Sequence, residues 1–423
     1  MVSAASFVTD DVGTFSRSVR PFLPVRATLP VLQFSGGTDM VLRVAVGDRV
    51  REGQVLAESY AGATHASIPG MVERIGDCEL PDGKRGTAVT VALSGSFTYT
   101  GKRLMERPWQ DVPPELLCAA FASRGVVNTF RGCRSLAMQV RSLQSRSARL
   151  LVLRLFDDDP SRVTERFLAA HEAERIAAGT ALIARAMLAD GIILVRGKRG
   201  PEPPAVGQHT TVPVTEVMVD DSRYPAGFEQ DIVAAVRRQC GESPWREVST
   251  RALYVDAETA VGAYEAVAFD MPVMERYVHV TGACLRSAAV LRVRLGTTMG
   301  ELAALCGGFT RAPTRIVVNG VVAGTAVGSM DVPVTKAVKS VLFQSGRQVE
   351  RPRVESCVRC GDCRAVCPAG LLPDMLYRAF MHGEHAADRD RCAARTAPLC
   401  SHCGLCNAVC PSRLPLSHAI ALL

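Results

Sequence analysis

No stretch of 18 apolar residues occurs anywhere in the 423-residue chain. The best candidate, residues 181–195, is broken by Arg185, Asp190 and Gly191, so a membrane-spanning helix is not expected. Residues 1–30 carry no basic segment followed by an apolar core, hence no export signal is expected and a reducing compartment follows. Long blocks of one charge are missing too. The 49 Lys and Arg against 42 Asp and Glu leave a net +7 that is scattered along the chain. That is too little to argue nucleic-acid binding, and it suits an acidic carrier protein or an anionic membrane face. Arg134, Arg141, Arg146 and Arg149 form the richest local group and read as a solvated helix face. With 48% hydrophobic and 22% charged residues, the composition is that of an ordinary soluble protein of two to four domains.

Glycine-rich phosphate loops are missing as well. Residues 125–136, GVVNTFRGCRSL, offer only Gly125 and Gly132 and match neither GxGxxG nor a Walker loop. Bulky Phe130 and Arg131 stand where a backbone has to come close to a phosphate.

Cysteine is what the chain does have, in two runs near its C-terminus: CVRCGDCRAVCP from Cys357 and CSHCGLCNAVCP from Cys400. Both read Cys-x2-Cys-x2-Cys-x3-Cys-Pro. In bacterial two-cluster ferredoxins, three closely spaced thiolates of such a run grip one 4Fe–4S cubane and the fourth serves the other cluster. The spacing therefore assigns Cys357, Cys360, Cys363 and Cys410 to one cluster, and Cys400, Cys403, Cys406 and Cys367 to the second. A pair of structural zinc sites is the alternative, but zinc needs two Cys pairs held apart rather than three thiols at successive i+3 steps. Disulfides do not suit a reducing compartment. Cys78, Cys118, Cys133, Cys240, Cys284, Cys306 and Cys392 lack partners at ligand spacing and read as small buried hydrophobes.

The remaining chain reads as a multi-domain α/β and α+β protein. Residues 31–100 are short strands punctuated by glycine, and Val46, Gly47 and Asp48, Glu52, Gly53 and Gln54, and Ile68, Pro69 and Gly70 resemble the barrel-sandwich hybrid modules that carry biotin or lipoate. Those modules present a Lys at a hairpin tip; residues 59–67 contain none, so the module is expected to be a platform. Apolar runs at residues 150–156 and 191–195, with an Ala-rich helical pattern over 161–187, predict a Rossmann-like α/β domain with a parallel sheet. In such sheets ligands bind at the strand carboxyl ends, where Asp157, Asp158, Asp159 and Pro160 fall, although the favoured reading of that turn is that Asp159 or Ser161 caps the next helix and the other acids are solvated. Residues 277–322 predict a β-grasp of the soluble-ligand-binding (SLBB-like) kind. The expected division is residues 1–107, N-terminal segment and barrel-sandwich hybrid module; 108–250, Rossmann-like domain; 251–345, β-grasp domain; and 346–423, a largely helical two-cluster ferredoxin-type domain.

With these residues in hand the chain resembles the RnfC component of the Rnf complexes, membrane ion pumps that move electrons between ferredoxin and NAD. The likeness rests on Gly36 and Gly37 with the β module, on VTGACLRSAAVLRVRLGTTMGEL, on SMDVPVTK at residues 329–336, and on the two cysteine runs. It implies a peripheral electron-transfer subunit of an oxidoreductase complex on the cytoplasmic face of the cell membrane. Its implied partners are the other subunits and a soluble carrier: ferredoxin, flavodoxin or NADH. The family is also similar to the flavin- and NADH-binding subunit of respiratory complex I, which implies an FMN and NADH site in the α/β domain. Here this sequence departs. GVVNTFRGCRSL stands for a glycine-rich loop, residues 157–160 for an acidic ECEP-type stretch, and residues 224–229 for a YPQGGE-type stretch. Asp158, Pro160 and Glu229 are the candidate remnants of that site. A non-catalytic, cluster-stabilised assembly subunit with a degenerate nucleotide site is the alternative from another class.

Overall fold

The computed structural model describes residues 18–35, 39–144, 148–198, 200–222, 224–241, 245–346 and 353–423. Gly36, Gly37 and Arg146, on which parts of the sequence reading rest, lie outside the described residues. Near the N-terminus two small antiparallel sheets face each other. One orders Arg26–Pro30, Arg85–Leu93, Gly70–Glu79 and Arg49–Val50; the other orders Val41–Leu42, Val55–Ser59 and Gly62–His65. Alternation sets their inner face: Ala27, Leu29, Val89 and Val91 are buried while Met71 looks outward. At the hairpin tip where biotin and lipoate carriers present lysine, Tyr60 is exposed, with the Arg141 guanidinium 4.7 Å over its ring. The hairpin's second strand is buried along its whole length.

The α/β layer is a four-stranded parallel sheet in the order Val214–Val219, Gly191–Gly197, Leu150–Arg154, Leu253–Asp256. Its strands read as continuous apolar runs because both faces are covered. Leu151 and Leu153 pack with Leu182 and Ala260 of the helices Ala173–Ala186 and Ala257–Ala268, whereas Leu150 and Val152 pack with Ile232 and Val236 of Glu229–Gln239. The division expected at residue 250 is corrected here. Leu253–Asp256 hydrogen-bonds into this sheet and the following helix packs on it, so the layer runs on to about Ala268. The helical pattern over 161–187 also divides, into Thr164–His171 and Ala173–Ala186, with Glu172 between them.

The β-grasp unit is a six-stranded mixed sheet, ordered Ser18–Phe22, Ala289–Arg294, Glu275–Thr281, Ser340–Gln344, Arg315–Val318, Thr325–Val327. Its outermost strand comes from the N-terminal segment, which the sequence assigned to the first module. The helix Met299–Leu305 starts at a capping box in which Thr298 and Glu301 satisfy each other's backbone N–H. This sheet shares one apolar core with the N-terminal module, Leu29 and Val91 lying with Val278, Leu291 and Phe343. Lys336, wholly buried, ties three units by donating to Ala63 O at 2.8 Å and Gly125 O at 2.7 Å. Residues 353–423 form short helices around the cysteine runs, the longest being Pro373–His382 with proline in its first turn, as expected.

Two other sequence readings change. The four arginines do not share a helix face: Arg134 is on a strand, Arg141 is on the helix Leu136–Leu143, and Arg149 pairs with Asp190 at 2.8 Å. Cys118, Cys240, Cys284 and Cys306 are buried, but Cys392 is exposed and is not a core residue. Among the described residues no helix is long and apolar enough to cross a membrane.

Candidate metal centre

The two cysteine runs fold the same way twice. In each, the residue before the second cysteine, Arg359 or His402, has a positive φ (58° and 51°), and the glycine after it, Gly361 or Gly404, does too (86° and 74°). A single helical turn follows, Asp362–Ala365 or Leu405–Ala408. Left-handed bends at these points curl the chain so that its first three thiols face a common side. Glycine is needed at 404 for a second reason: a Cβ there would meet Val322 O of a β-grasp turn at 2.6 Å.

Cys357, Cys360, Cys363 and Cys410 line one cavity of about 370 Å³. Cys400, Cys403, Cys406 and Cys367 line a second, smaller one of about 20 Å³. Each foursome thus takes one thiol from the other run. Among the described residues no three His, Cys, Asp or Glu are gathered in the geometry of a single metal ion; the thiols surround spaces. A four-thiol wall suits the donor chemistry of an iron–sulfur cluster. The amides of Leu371 and His402 already point at sulfur, 3.3 Å from Cys367 Sγ and Cys400 Sγ. Burial pushes the thiols of Cys363, Cys400 and Cys403 above their ordinary value and that of Cys406 up to about 12. Ligation at these four positions must therefore displace protons.

The two foursomes differ in their surroundings. Cys357 and Cys360 are exposed, whereas Cys403 is buried against Tyr224 and Phe228 of the α/β layer and Cys406 is buried beside Leu414 and Leu416. The Tyr224 hydroxyl donates to Cys403 O, and Gln230 Nε2 donates to Leu399 O at 3.0 Å. Arg131 donates to Ser401 O with one nitrogen and to Glu229 Oε2 at 2.9 Å with another, its guanidinium 5.4 Å from the Phe228 ring centre. Tyr224 and Phe228 share an apolar cluster with Cys403 and Leu405. Sequence reasoning took Arg131 only as an obstacle to a phosphate and residues 224–229 only as a nucleotide stretch. What it missed is that both clasp the second cysteine run.

The ligand crevice expected of the α/β layer is filled. Its sheet order changes direction at Leu150–Arg154, between neighbours Gly191–Gly197 and Leu253–Asp256, so the crevice lies beyond Arg154 and Asp256, which are in register. Arg154, wholly buried, donates to Gly227 O at 2.8 Å and Phe130 O at 3.3 Å and lies 4.2 Å over the Phe130 ring. Lys339 Nζ sits between Glu165 Oε1 at 2.6 Å and Asp256 Oδ2 at 2.5 Å. Burial and the neighbouring Asp256 push the Glu165 carboxyl up to about 7, whereas Lys339 holds Asp256 well below the usual range despite its burial.

The acidic turn is equally engaged. Asp158 pairs with Arg162 and lies 3.5 Å from Arg154, and Asp159 accepts from Val321 N and Val322 N at 3.3 and 3.2 Å. Asp157, not Asp159 or Ser161, caps the helix Thr164–His171 by accepting from Glu165 N and Arg166 N at 3.2 and 3.3 Å. Pro160 is half-buried in this turn, and Glu229 is some way off in the clasp with Arg131. The structure therefore does not bring Asp158, Pro160 and Glu229 together around an open site, and these residues do not fit a flavin or nucleotide in the crevice. A surface cleft of about 380 Å³ beside it remains open, and of the three candidates Glu229 alone lines it, with Phe130, Arg131, Arg134, Tyr254 and Cys400 among others.

Three family models match the chain: an RnfC barrel sandwich hybrid domain over residues 17–96, an SLBB domain over 277–326 and a 4Fe-4S dicluster domain over 353–414. The RnfC-type component of the ion-translocating oxidoreductase complex of Rhodobacter capsulatus is 27% identical over 383 residues, 88% of this chain and 72% of that protein. Its counterpart in the proton-translocating ferredoxin:NAD(+) oxidoreductase complex of Clostridium ljungdahlii is 23% identical, over 84% of this chain and 78% of that one. Among solved structures, a chain of an NAD+-reducing [NiFe]-hydrogenase is 17% identical with a TM-score of 0.48, covering 75% of this chain and 61% of that one.

Proposed function

Since this chain belongs to the RnfC family of the ion-translocating oxidoreductases, we propose that it is a peripheral electron-transfer subunit on the cytoplasmic face of a membrane-bound complex. It connects a soluble carrier with the membrane redox subunits. Cys357, Cys360, Cys363 and Cys410 would hold one 4Fe–4S cluster, and Cys400, Cys403, Cys406 and Cys367 a second. Such clusters, when bound, supply one-electron chemistry at potentials of the order of −400 mV. The observation that carries the reading is the grouping of the eight thiols, four and four, around two cavities.

The chain's own part is ligation, hydrogen bonding to sulfur from the amides of Leu371 and His402, and exclusion of water by Val366, Leu405 and Leu416. The α/β layer acts as a cover. Its crevice is closed by Arg154, Lys339 and their carboxylate partners, which supports a subunit that exchanges electrons with a carrier directly. The open cleft beside Cys400 is the one feature that favours the other version, in which NADH or FMN binds the α/β layer.

Protein reconstituted without oxygen should hold about eight irons, and dithionite should bleach its broad visible absorption. Cys410→Ala should damage the centre built on Cys357, Cys360 and Cys363 and spare the other. Damage confined to the second centre refutes the crossed ligation, and zinc in place of iron refutes the function.

A further inference from the structure

The two thiol foursomes differ in charge as well as exposure. Arg359, Arg364, Arg378 and Arg389 line the first cavity, against one carboxylate, Asp374. Asp374 is already committed, accepting from Arg364 at 2.6 Å through both oxygens and from Arg378 at 3.2 Å. Arg359 and Arg389 are exposed and have no ion pair among the described residues. The exposed carboxylates Glu355, Asp362, Glu384 and Asp388 do not line the cavity, and Asp388, next to Arg389 in sequence, is paired with Arg391. On the same rim Val358 is 66% exposed, beside the exposed thiols of Cys357 and Cys360.

A simpler account makes these arginines counterions to ligated thiolates. If a cluster required them, the second foursome would require them too, yet no Arg, Lys, Asp or Glu lines its cavity. Two free guanidinium groups around an exposed apolar residue and two exposed thiols make a basic rim with a small dry centre, the pattern that steers and seats a protein of opposite charge. Tyr224, Arg131 and Gln230 hold the α/β layer over the second foursome, and in the cleft that reaches Cys400 Arg131 is neutralised by Glu229, which leaves Arg134, among the described residues, as the one unpaired cation lining it.

We infer that the rim formed by Arg359, Arg389 and Val358 is the docking site for an acidic one-electron carrier protein, which meets this chain at the centre on Cys357, Cys360, Cys363 and Cys410. The inference rests on the electron-transfer function proposed above and adds where and with what the exchange occurs. One electron leaves the reduced carrier, which is oxidised by one equivalent, and the centre is reduced by one; no bond breaks and no proton moves.

The test uses the full chain, reconstituted anaerobically, and an acidic flavodoxin as the probe. Titrating isotope-labelled flavodoxin with the chain at low ionic strength should give saturable shifts that weaken as salt is added. The variant Arg389→Glu, which lies outside both cysteine runs, should raise the dissociation constant several-fold. It should also slow the appearance of blue semiquinone from flavodoxin hydroquinone by a similar factor, with iron content unchanged. Equal affinity and equal rate in variant and parent overturn the docking site, as does a parent that binds no flavodoxin at any salt concentration, which would leave this face to another subunit. In both cases the electron-transfer reading stands while iron and dithionite bleaching persist; if those fail, the function falls and the docking site falls with it.

Discussion

At the scale of single residues, the chemistry most sensitive to change is the ion network beyond Arg154. Lys339 is shared by Glu165 and Asp256, all three almost without solvent contact. Removing the cation strands the Asp256 carboxylate, Glu165 keeping its proton below about pH 7, so Lys339→Met should lower the unfolding free energy by about 3–5 kcal/mol, read from urea titration. The network also sets a pH dependence. The folded chain keeps the Glu165 proton up to about pH 7, whereas the unfolded chain releases it near its ordinary value of 4.5. Between those values the native state binds more protons, so the Glu165 contribution to stability falls as pH rises through the window. Glu165→Gln should flatten that slope, and a slope unchanged in the variant would assign it to another group.

At the scale of elements, the segment 224–230 and the loop around Arg131 changed meaning between sequence and structure. Both stand where relatives of the chain's type were expected to hold a nucleotide, and both instead clasp the second cysteine run. Gly227, at φ 81°, allows this: a Cβ there would meet the Phe156 ring at 2.8 Å. Tyr224→Phe removes one hydrogen bond, about 1 kcal/mol, and Arg131→Ala removes an ion pair and a second bond. Both variants should lose iron from the centre on Cys400, Cys403, Cys406 and Cys367 several-fold faster under a chelator, with the other centre unaffected. Equal loss from both centres would show that the clasp does not protect the second one. The strands themselves were legible: the apolar runs at 150 and 191 appear where periodicity puts them. The helix cap at Asp157 was not, because the capping carboxylate stands well upstream of the helix start, eight residues before the Glu165 amide it accepts from.

At the scale of the molecule, the units share cores and seams. Lys336 reaches from the β-grasp to the N-terminal hairpin and the loop at Gly125, and burial pushes its ammonium down to about 7. This fusion makes the α/β layer a fixed cover and closes its crevice from within. Titration of the reconstituted chain with FMN and with NADH should therefore give no saturable binding in the micromolar range. Micromolar binding of either would assign the cleft beside Cys400 a nucleotide and remove the scaffold reading of the layer.

Local sequence alone determined the cysteine runs, the strand and helix types and the missing phosphate loop, because ligand spacing, periodicity and glycine content act within a few residues of one another. Tertiary structure decided the rest. That Leu253–Asp256 completes the parallel sheet, that Lys339 from 83 residues beyond Asp256 fills the crevice, and that Arg131 reaches Ser401 depend on contacts between distant segments. Such contacts leave no periodic trace, since a buried charge is stable only where the folded chain supplies its partner.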